Sequence, residues 1–341
     1  MAAKVNYHQK NELEFSFKCL VLRLKCHEAK KMLNIPVKVG YMDKFPDFGA
    51  KGFNVDHYNE RFHQANFIIN ARAKHISFPK HWGTLSIKSC LAGTEFYEAS
   101  DMLYGVDCDN YLIFNQGLFY SSWIDSAIDV ESFTVTFSPV YIQDYLSSCL
   151  KSAGRNLDDP QSSNFAPDQF VITERLHRHD NSISPVLTKI HLLSQQTENH
   201  QEELGILFYK LLERISQKEA SLSFEIESIQ KVRHGTKAEL FRRLNRAKDF
   251  IYSAYFRDLS LTEIADVACL NRYYFLRQFK SAFQLTPHQY LTQRRMQVAD
   301  QLLRGSSKSV SDVCSAVGFN DLSSFSKLYK SFHGISPRQV R

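Results

Sequence analysis

Arg272, Tyr273, Tyr274, Arg277 and Gln278 stand close together in the run NRYYFLRQFKSAF, and their types suit one kind of chemistry. A guanidinium can donate two parallel hydrogen bonds to guanine O6 and N7, and a tyrosine ring can meet a thymine methyl or a phosphate. Further along, the run LSSFSKLYKSFH offers Leu322, Ser323, Ser324 and Lys327 at the corresponding places. Lys280 and Lys330 within the two runs, and Asp321 just before the second, complete the candidate set. The second set is smaller and less basic, so it suits backbone positioning more than base discrimination.

Side chains of this kind act only if rigid elements aim them. The apolar residues Phe275, Leu276, Phe279, Ala282 and Phe283 repeat with helical spacing, and Phe325, Leu328, Tyr329 and Phe332 do the same. Each run follows a short helical segment. Ser260 with Glu263 is a capping-box pattern, Ser309 with Asp312 is a second, and Asn271 and either Asn320 or Asp321 can cap the longer helices. Thr286, Pro287 and Gln289 open a joining helix that stops at Gly305, and Leu240, Phe241, Leu244, Ala247, Ile251 and Ala254 mark a leading helix.

Aligning Ser260 with Ser309 matches Ile264 to Val313, Leu270 to Phe319 and Asn271 to Asn320; past one inserted residue, Pro287 matches Pro337 and Gln289 matches Gln339. Each copy, 260–283 and 309–333, is a short helix, a turn and a longer helix, which is the helix-turn-helix. In that motif the second helix enters the major groove of double-stranded DNA. A joining helix of about 27 Å at ~1.5 Å per residue can hold two such helices roughly one DNA turn apart.

Charge agrees with this reading. Residues 236–341 hold 17 Lys+Arg against 8 Asp+Glu, while the remainder holds 25 against 28. A basic end joined to a near-neutral partner is expected of a nucleic-acid-binding module. Arg294 and Arg295 on the joining helix, with Arg242, Arg243 and Lys330, are phosphate candidates.

The rest of the chain reads differently. Residues 66–142 are rich in aromatic and β-branched runs punctuated by Gly83, Gly93, Gly105 and Gly117, as in a small barrel or sandwich. Residues 143–218 are a helical connector, in which Leu204, Leu207, Phe208, Leu211, Leu212 and Ile215 form a stripe available to the domain's own core or to a dimer. Residues 219–236 read as a linker, 237–341 as the DNA-binding domain, and 1–65 as an extension with a strand-like run at 13–25. Glu95, Tyr97, Tyr104 and Trp123 are the candidate polar groups of an effector pocket.

The segments SLTEIADVACLNRYYFLRQFKSAFQLTPHQYLTQRRMQVADQLL and SVSDVCSAVGFNDLSSFSKLYKSFHGISPRQVR resemble the DNA-binding domain of the AraC/XylS family of bacterial transcription regulators. The upstream run GTEFYEASDMLYGVDCDNYLIFNQGLFYSSWID is similar to the cupin-like sensing barrel of many members. The resemblance implies a multidomain α and β protein, with a cupin-like β-barrel, a helical connector and an all-α double helix-turn-helix. It implies base reading by Tyr273, Leu276 and Arg277, and activation as the commoner mode. Two positions depart from the family pattern: Cys269 stands where Gly is usual in the first turn, which implies a less tight turn, and Val340 stands where an aromatic is usual, which implies looser final packing.

Other chemistries find little support. No histidine lies between Trp82 and Leu176, so a cupin-type metal site lacks ligands, and no G-x-S-x-G elbow occurs. The seven cysteines form no C-x-x-C, which points to small buried hydrophobes in a reducing compartment. No apolar run is long enough for a membrane helix and no signal-like start is seen, so a cytoplasmic, nucleoid-associated protein is expected, with no cofactor, no metal and no catalytic residue. Its expected partners are DNA half-sites, a second copy of itself, RNA polymerase and a small-molecule effector. The competing expectation is an effector-free regulator whose N-terminal half only dimerises or contacts the polymerase.

Overall fold

The computed structural model describes residues 38–47, 51–152, 170–196, 200–228 and 234–340. The chain divides into two compact units: residues before Asp101 with Val106–His234, and Asp101–Gly105 with residues from Gly235 onward. The elements up to Ser228 are β1 (Val39–Met42), α1 (Val55–Gln64), β2 (Asn66–Trp82), β3 (Ser86–Ala92), β4 (Glu95–Ala99), β5 (Met102–Val106), β6 (Asn110–Phe114), β7 (Phe119–Thr136), α2 (Pro139–Ser152), β8 (Leu176–Arg178), α3 (Ser184–Ser194) and α4 (Gln201–Ser228). The strand-like run at 13–25 lies outside the described residues.

In the first unit β2 and β7 pair antiparallel along nearly their whole lengths, from Phe67 opposite Thr136 to Trp82 opposite Phe119. Register shifts between Ala73 and His75 and between Phe78 and His81 allow strands this long to bend. The other edge of β7 is divided: Glu131–Thr136 pairs with β3, and Tyr120–Trp123 pairs with β4. β6 joins β3, β8 joins β6, and β1 joins β2 in parallel. Every residue of β6 is buried, which is why NYLIF reads as a continuous apolar run rather than an alternating one.

The helices α2, α3 and α4 share one core with this sheet, which makes them part of the same unit and not a separate connector. Phe137 meets Phe208 edge to face with centroids 5.4 Å apart. The Tyr141 hydroxyl donates to Gly205 O at 3.2 Å, and that of Tyr145 donates to Ser216 Oγ at 3.1 Å. The Gln201 side chain accepts from Val39 N at 2.9 Å and donates to Val39 O at 3.0 Å, anchoring the start of α4 to an edge strand. The stripe from Leu204 to Ile215 is buried in this core, so it is not the surface on which a second copy would dock. The expected linker at 219–236 is overtaken by helix at both ends: α4 runs to Ser228 and the next helix begins at His234.

The second unit is built of helices: α5 (His234–Ser253), α6 (Leu261–Val267), α7 (Arg272–Phe283), α8 (Pro287–Gly305), α9 (Val310–Ala316) and α10 (Leu322–His333), closed by a 3-10 turn at Pro337–Gln339. Their starts are set by local hydrogen bonds. Thr286 with Gln289 and Ser309 with Asp312 form complete capping boxes. Ser260 forms half of one: its hydroxyl accepts from Glu263 N, while the Glu263 carboxylate takes a hydrogen bond from Arg257 Nη2 at 2.9 Å. Ala282 and Phe332, both expected on apolar stripes, are exposed. Val340 packs onto the core that holds Phe325 and Tyr329.

The two turns solve one steric problem with different residues. Gly318 has φ +83°, and a Cβ there would come within 2.8 Å of Phe256 O. Cys269, at the equivalent place, also adopts left-handed backbone with φ +50°, so the first turn is as tight as the second in spite of its side chain. Replacing Cys269 with glycine should raise the stability of this unit by about 0.5–1 kcal/mol, because the relief of left-handed strain exceeds the added freedom of the unfolded chain. Thermal unfolding followed by tyrosine circular dichroism would measure it, and an unchanged or lowered midpoint would remove the strain argument.

Candidate nucleic-acid interface

α7 and α10 are presented alike. Along 271–280 and 321–330 the order of exposed, half-buried and buried residues is identical, with Phe275 and Phe279 buried in one and Phe325 and Tyr329 in the other. The caps agree: the Asn271 side chain accepts from the amides of Tyr273 and Tyr274, and Asp321 accepts from those of Ser323 and Ser324. The cap equivalent to Asn271 is therefore Asp321, and the residue inserted in the second copy is Asn320, in the turn. Asp321 commits its carboxylate to this cap, and the Ser324 hydrogen bond holds its pKa below the usual range. That makes it a helix starter, with no donor to offer a base or phosphate.

On α7, Tyr273 is 75% exposed and Tyr274, Arg272 and Arg277 also face solvent. The guanidinium of Arg272 lies 5.1 Å from the Tyr273 ring centre, and that of Arg277 lies 5.7 Å from the Tyr274 ring centre. Arg272 Nη2 also donates to the Tyr273 hydroxyl at 3.2 Å. Two arginines are thus steadied over two exposed tyrosines while their donor edges stay open to solvent. Gln278 and Leu276 are half-buried and Lys280 is exposed. Leu276 stands at the edge of the buried stripe, where it can touch both the core and a ligand on the outer face.

α10 carries the same frame with Leu322, Ser323, Ser324, Lys327 and Lys330 exposed. It is tied to α8 by polar contacts. The Tyr329 hydroxyl donates to Asp300 Oδ1 at 2.6 Å, and Arg304 Nε donates to both oxygens of Asp300 at 3.0 and 2.9 Å. Burial raises the Asp300 pKa, but these hydrogen bonds outweigh it and hold the carboxyl below its ordinary range. In the first copy α7 meets α8 through rings, Phe279 against Tyr290 with centroids 6.2 Å apart.

The structure moves the two joining-helix arginines out of the phosphate set. Arg294 is 3% exposed, and its guanidinium lies 3.7 Å from the Tyr252 ring centre and 5.2 Å from that of Tyr255. Arg295 Nε donates to Tyr255 O at 2.8 Å and Nη2 to Arg257 O at 2.7 Å, with the guanidinium over Phe319 at 5.2 Å. Both hold the end of α5 against α8. The signal was present in the sequence, since Arg294 lies on the helical stripe of Leu291 and Val298, three and four residues away.

In the first unit a cavity of about 80 Å³ opens among β2, β3, β4, β7 and α1. Of the candidate pocket residues, Glu95 and Tyr97 line it, while Tyr104 and Trp123 do not. Trp123 stacks on Phe96 instead, with centroids 5.8 Å apart. Lys88 and Ser86 line it and were not foreseen; the signal was a lysine inside the otherwise uncharged strand SIKSCLA. Among the described residues there is no cluster of three His, Cys, Asp or Glu able to hold a metal, and no helix long and apolar enough to cross a membrane.

A family model of the helix-turn-helix domain matches residues 264–341. The chain is similar to the Msm operon regulatory protein of Streptococcus mutans, 30% identical over 133 residues that make up 39% of this chain and 45% of that one. It is also similar to the transcriptional activator RhaS of an Enterobacter strain, 34% identical over 99 residues, 29% of this chain and 36% of that one. The chain spans less than half the length of these two relatives. Among solved structures, ToxT of Vibrio cholerae is similar over 80% of this chain and 97% of its own, with 14% identity and a TM-score of 0.31.

Proposed function

We propose that this chain, whose C-terminal region is an AraC-type helix-turn-helix domain, is a sequence-specific DNA-binding transcription regulator. The observation that carries this is the paired presentation of α7 and α10: two capped helices with the same exposed positions, separated by a 19-residue helix. At ~1.5 Å per residue that helix is about 28 Å long, suited to two insertions into successive major grooves. Discrimination falls to α7, with Arg277 as the principal base reader beside Arg272, Tyr273, Tyr274, Leu276 and Gln278. α10, with Ser323, Ser324, Lys327 and Lys330, contributes fewer base contacts and more positioning.

The regulator acts as a homodimer on paired half-sites in the cytoplasm, and an effector taken up by the first unit changes how the two DNA-binding domains engage those sites. Activation through contact with RNA polymerase is the mode we favour, by analogy with the relative named as an activator. No catalytic role is proposed. The cavity in the first unit favours an effector over an effector-free regulator, because a unit that only dimerised would have no need of buried charges facing a void.

The test is selection of bound sequences from random DNA by the full chain, followed by footprinting. The expected result is a defined motif whose protection covers two successive turns of one duplex face. Equal affinity for all duplexes at moderate salt would sink the reading.

A further inference from the structure

The cavity of the first unit carries opposite charges on its walls. Ser86 and Lys88 alternate along β3 and so face the same side of the strand, and Glu95 opens β4. Lys88 is 7% exposed and Glu95 is 2% exposed, and all three residues line the cavity. Lys88 Nζ donates to the Tyr120 hydroxyl at 3.0 Å, which leaves two of its three donor positions for other groups. The hydroxyls of Ser132, Tyr97 and Ser122 turn toward Glu95, yet among the described residues its Oε2 has no hydrogen-bond partner, and neither has Ser86 Oγ. Among the described residues Lys88 and Glu95 close no direct ion pair, although the Lys88 charge acts on the Glu95 carboxyl. Burial accordingly pushes the Glu95 carboxyl above its ordinary range.

Opposite charges that line one cavity without closing a direct ion pair leave donors and acceptors unmet, and a ligand that bridges them would complete both. We propose that this cavity binds a small zwitterion, with its carboxylate against Lys88 and its ammonium against Glu95 and Ser86. A polyol could satisfy the same hydrogen bonds, but it would bring no charge opposite to either wall, whereas a zwitterion matches both. The zwitterion neutralises each charge where it stands. The Tyr97 and Tyr120 rings, whose centroids are 6.1 Å apart, add a surface that attracts ammonium groups. The cavity volume of about 80 Å³ suits a ligand about the size of a small α-amino acid. This inference rests on the effector-responsive reading above and supplies the chemical class of the effector.

The experiment is calorimetric titration and thermal shift of the full chain with glycine, L-alanine and L-serine. Each is paired with its N-acetyl and methyl-ester derivatives, and glycerol is the neutral polyol. At least one amino acid should raise the melting temperature and bind about tenfold or more tightly than either blocked derivative. Lys88→Met and Glu95→Gln should each abolish that preference, and the double variant should abolish it as well. The comparison of free and blocked ligands on the unaltered chain decides the question even if a variant fails to fold. Silence of all the amino acids at about 10 mM, or equal binding of glycerol or the blocked forms, overturns the proposal. DNA selection on the same preparation without ligand is a separate readout, so a failed regulator reading and a failed ligand class are told apart.

Discussion

Arg277→Ala should cost about 1–3 kcal/mol of affinity at one base pair of the bound site and leave the other positions as they were, because a bidentate guanidinium–guanine pair is worth that much discrimination. The residue is exposed on α7, its guanidinium lies 5.7 Å from the centre of the Tyr274 ring, and among the described residues no ion pair engages it. A guanidinium steadied on a ring loses little freedom when it meets a base edge, so most of the interaction appears as specificity. Arg277→Lys should recover some overall affinity but not the preference, since an ammonium lacks the two-pronged geometry. Lys327→Ala, at the equivalent place on α10, should cost less and act more evenly across sequences. The measurement is competition binding against sites altered one base pair at a time. An Arg277→Ala protein with unchanged preference at every position would show that α7 does not read bases through this residue.

Arg294→Ala should destabilise the second unit by about 2–4 kcal/mol and weaken DNA binding only through the lost folded fraction. The guanidinium lies 3.7 Å from the Tyr252 ring centre in a buried place, where a cation–ring contact is worth about 2 kcal/mol and the truncated stem leaves a cavity besides. The slope of affinity against salt should not change, since a side chain enclosed between α5 and α8 displaces no counterion from DNA. Arg294→Met keeps the volume without the charge, and it should restore most of the stability and the binding. Hydrogen exchange in α5 and α8 would report the stability, and titration at several salt concentrations the slope. If the folded Arg294→Met protein lost about one unit of salt slope, Arg294 would be a phosphate contact after all and its packing role secondary.

Short-range features of the fold were legible because their partners are near in sequence. Thr286 with Gln289 and Ser309 with Asp312 stand three residues apart, so their types and spacing alone announce helix starts. The buried pairs Phe275 with Phe279 and Phe325 with Tyr329 follow the helical period, and the equality of the two copies could be read from their matched letters. The apolar strands of the first unit were visible as a class, though their pairing was not. β7 divides one edge between β3 and β4, a choice made by residues far apart along the chain.

The sequence by itself determined which segments of the second unit are helices, where they start, that the frame is written twice, and which residues of α7 and α10 carry donors, while α1 at Val55–Gln64 lay in a stretch it left unassigned. Tertiary structure decided the fate of individual charges. Arg294 and Arg277 are the same residue type on neighbouring helices, yet one is enclosed by rings from α5 and the other stands in solvent. Lys88 and Glu95 become facing walls of one cavity only when β3 and β4 both pair with β7. The physical reason is range. Capping and periodicity act between residues three or four apart, while the cost of a charge depends on everything that surrounds it once the chain has folded.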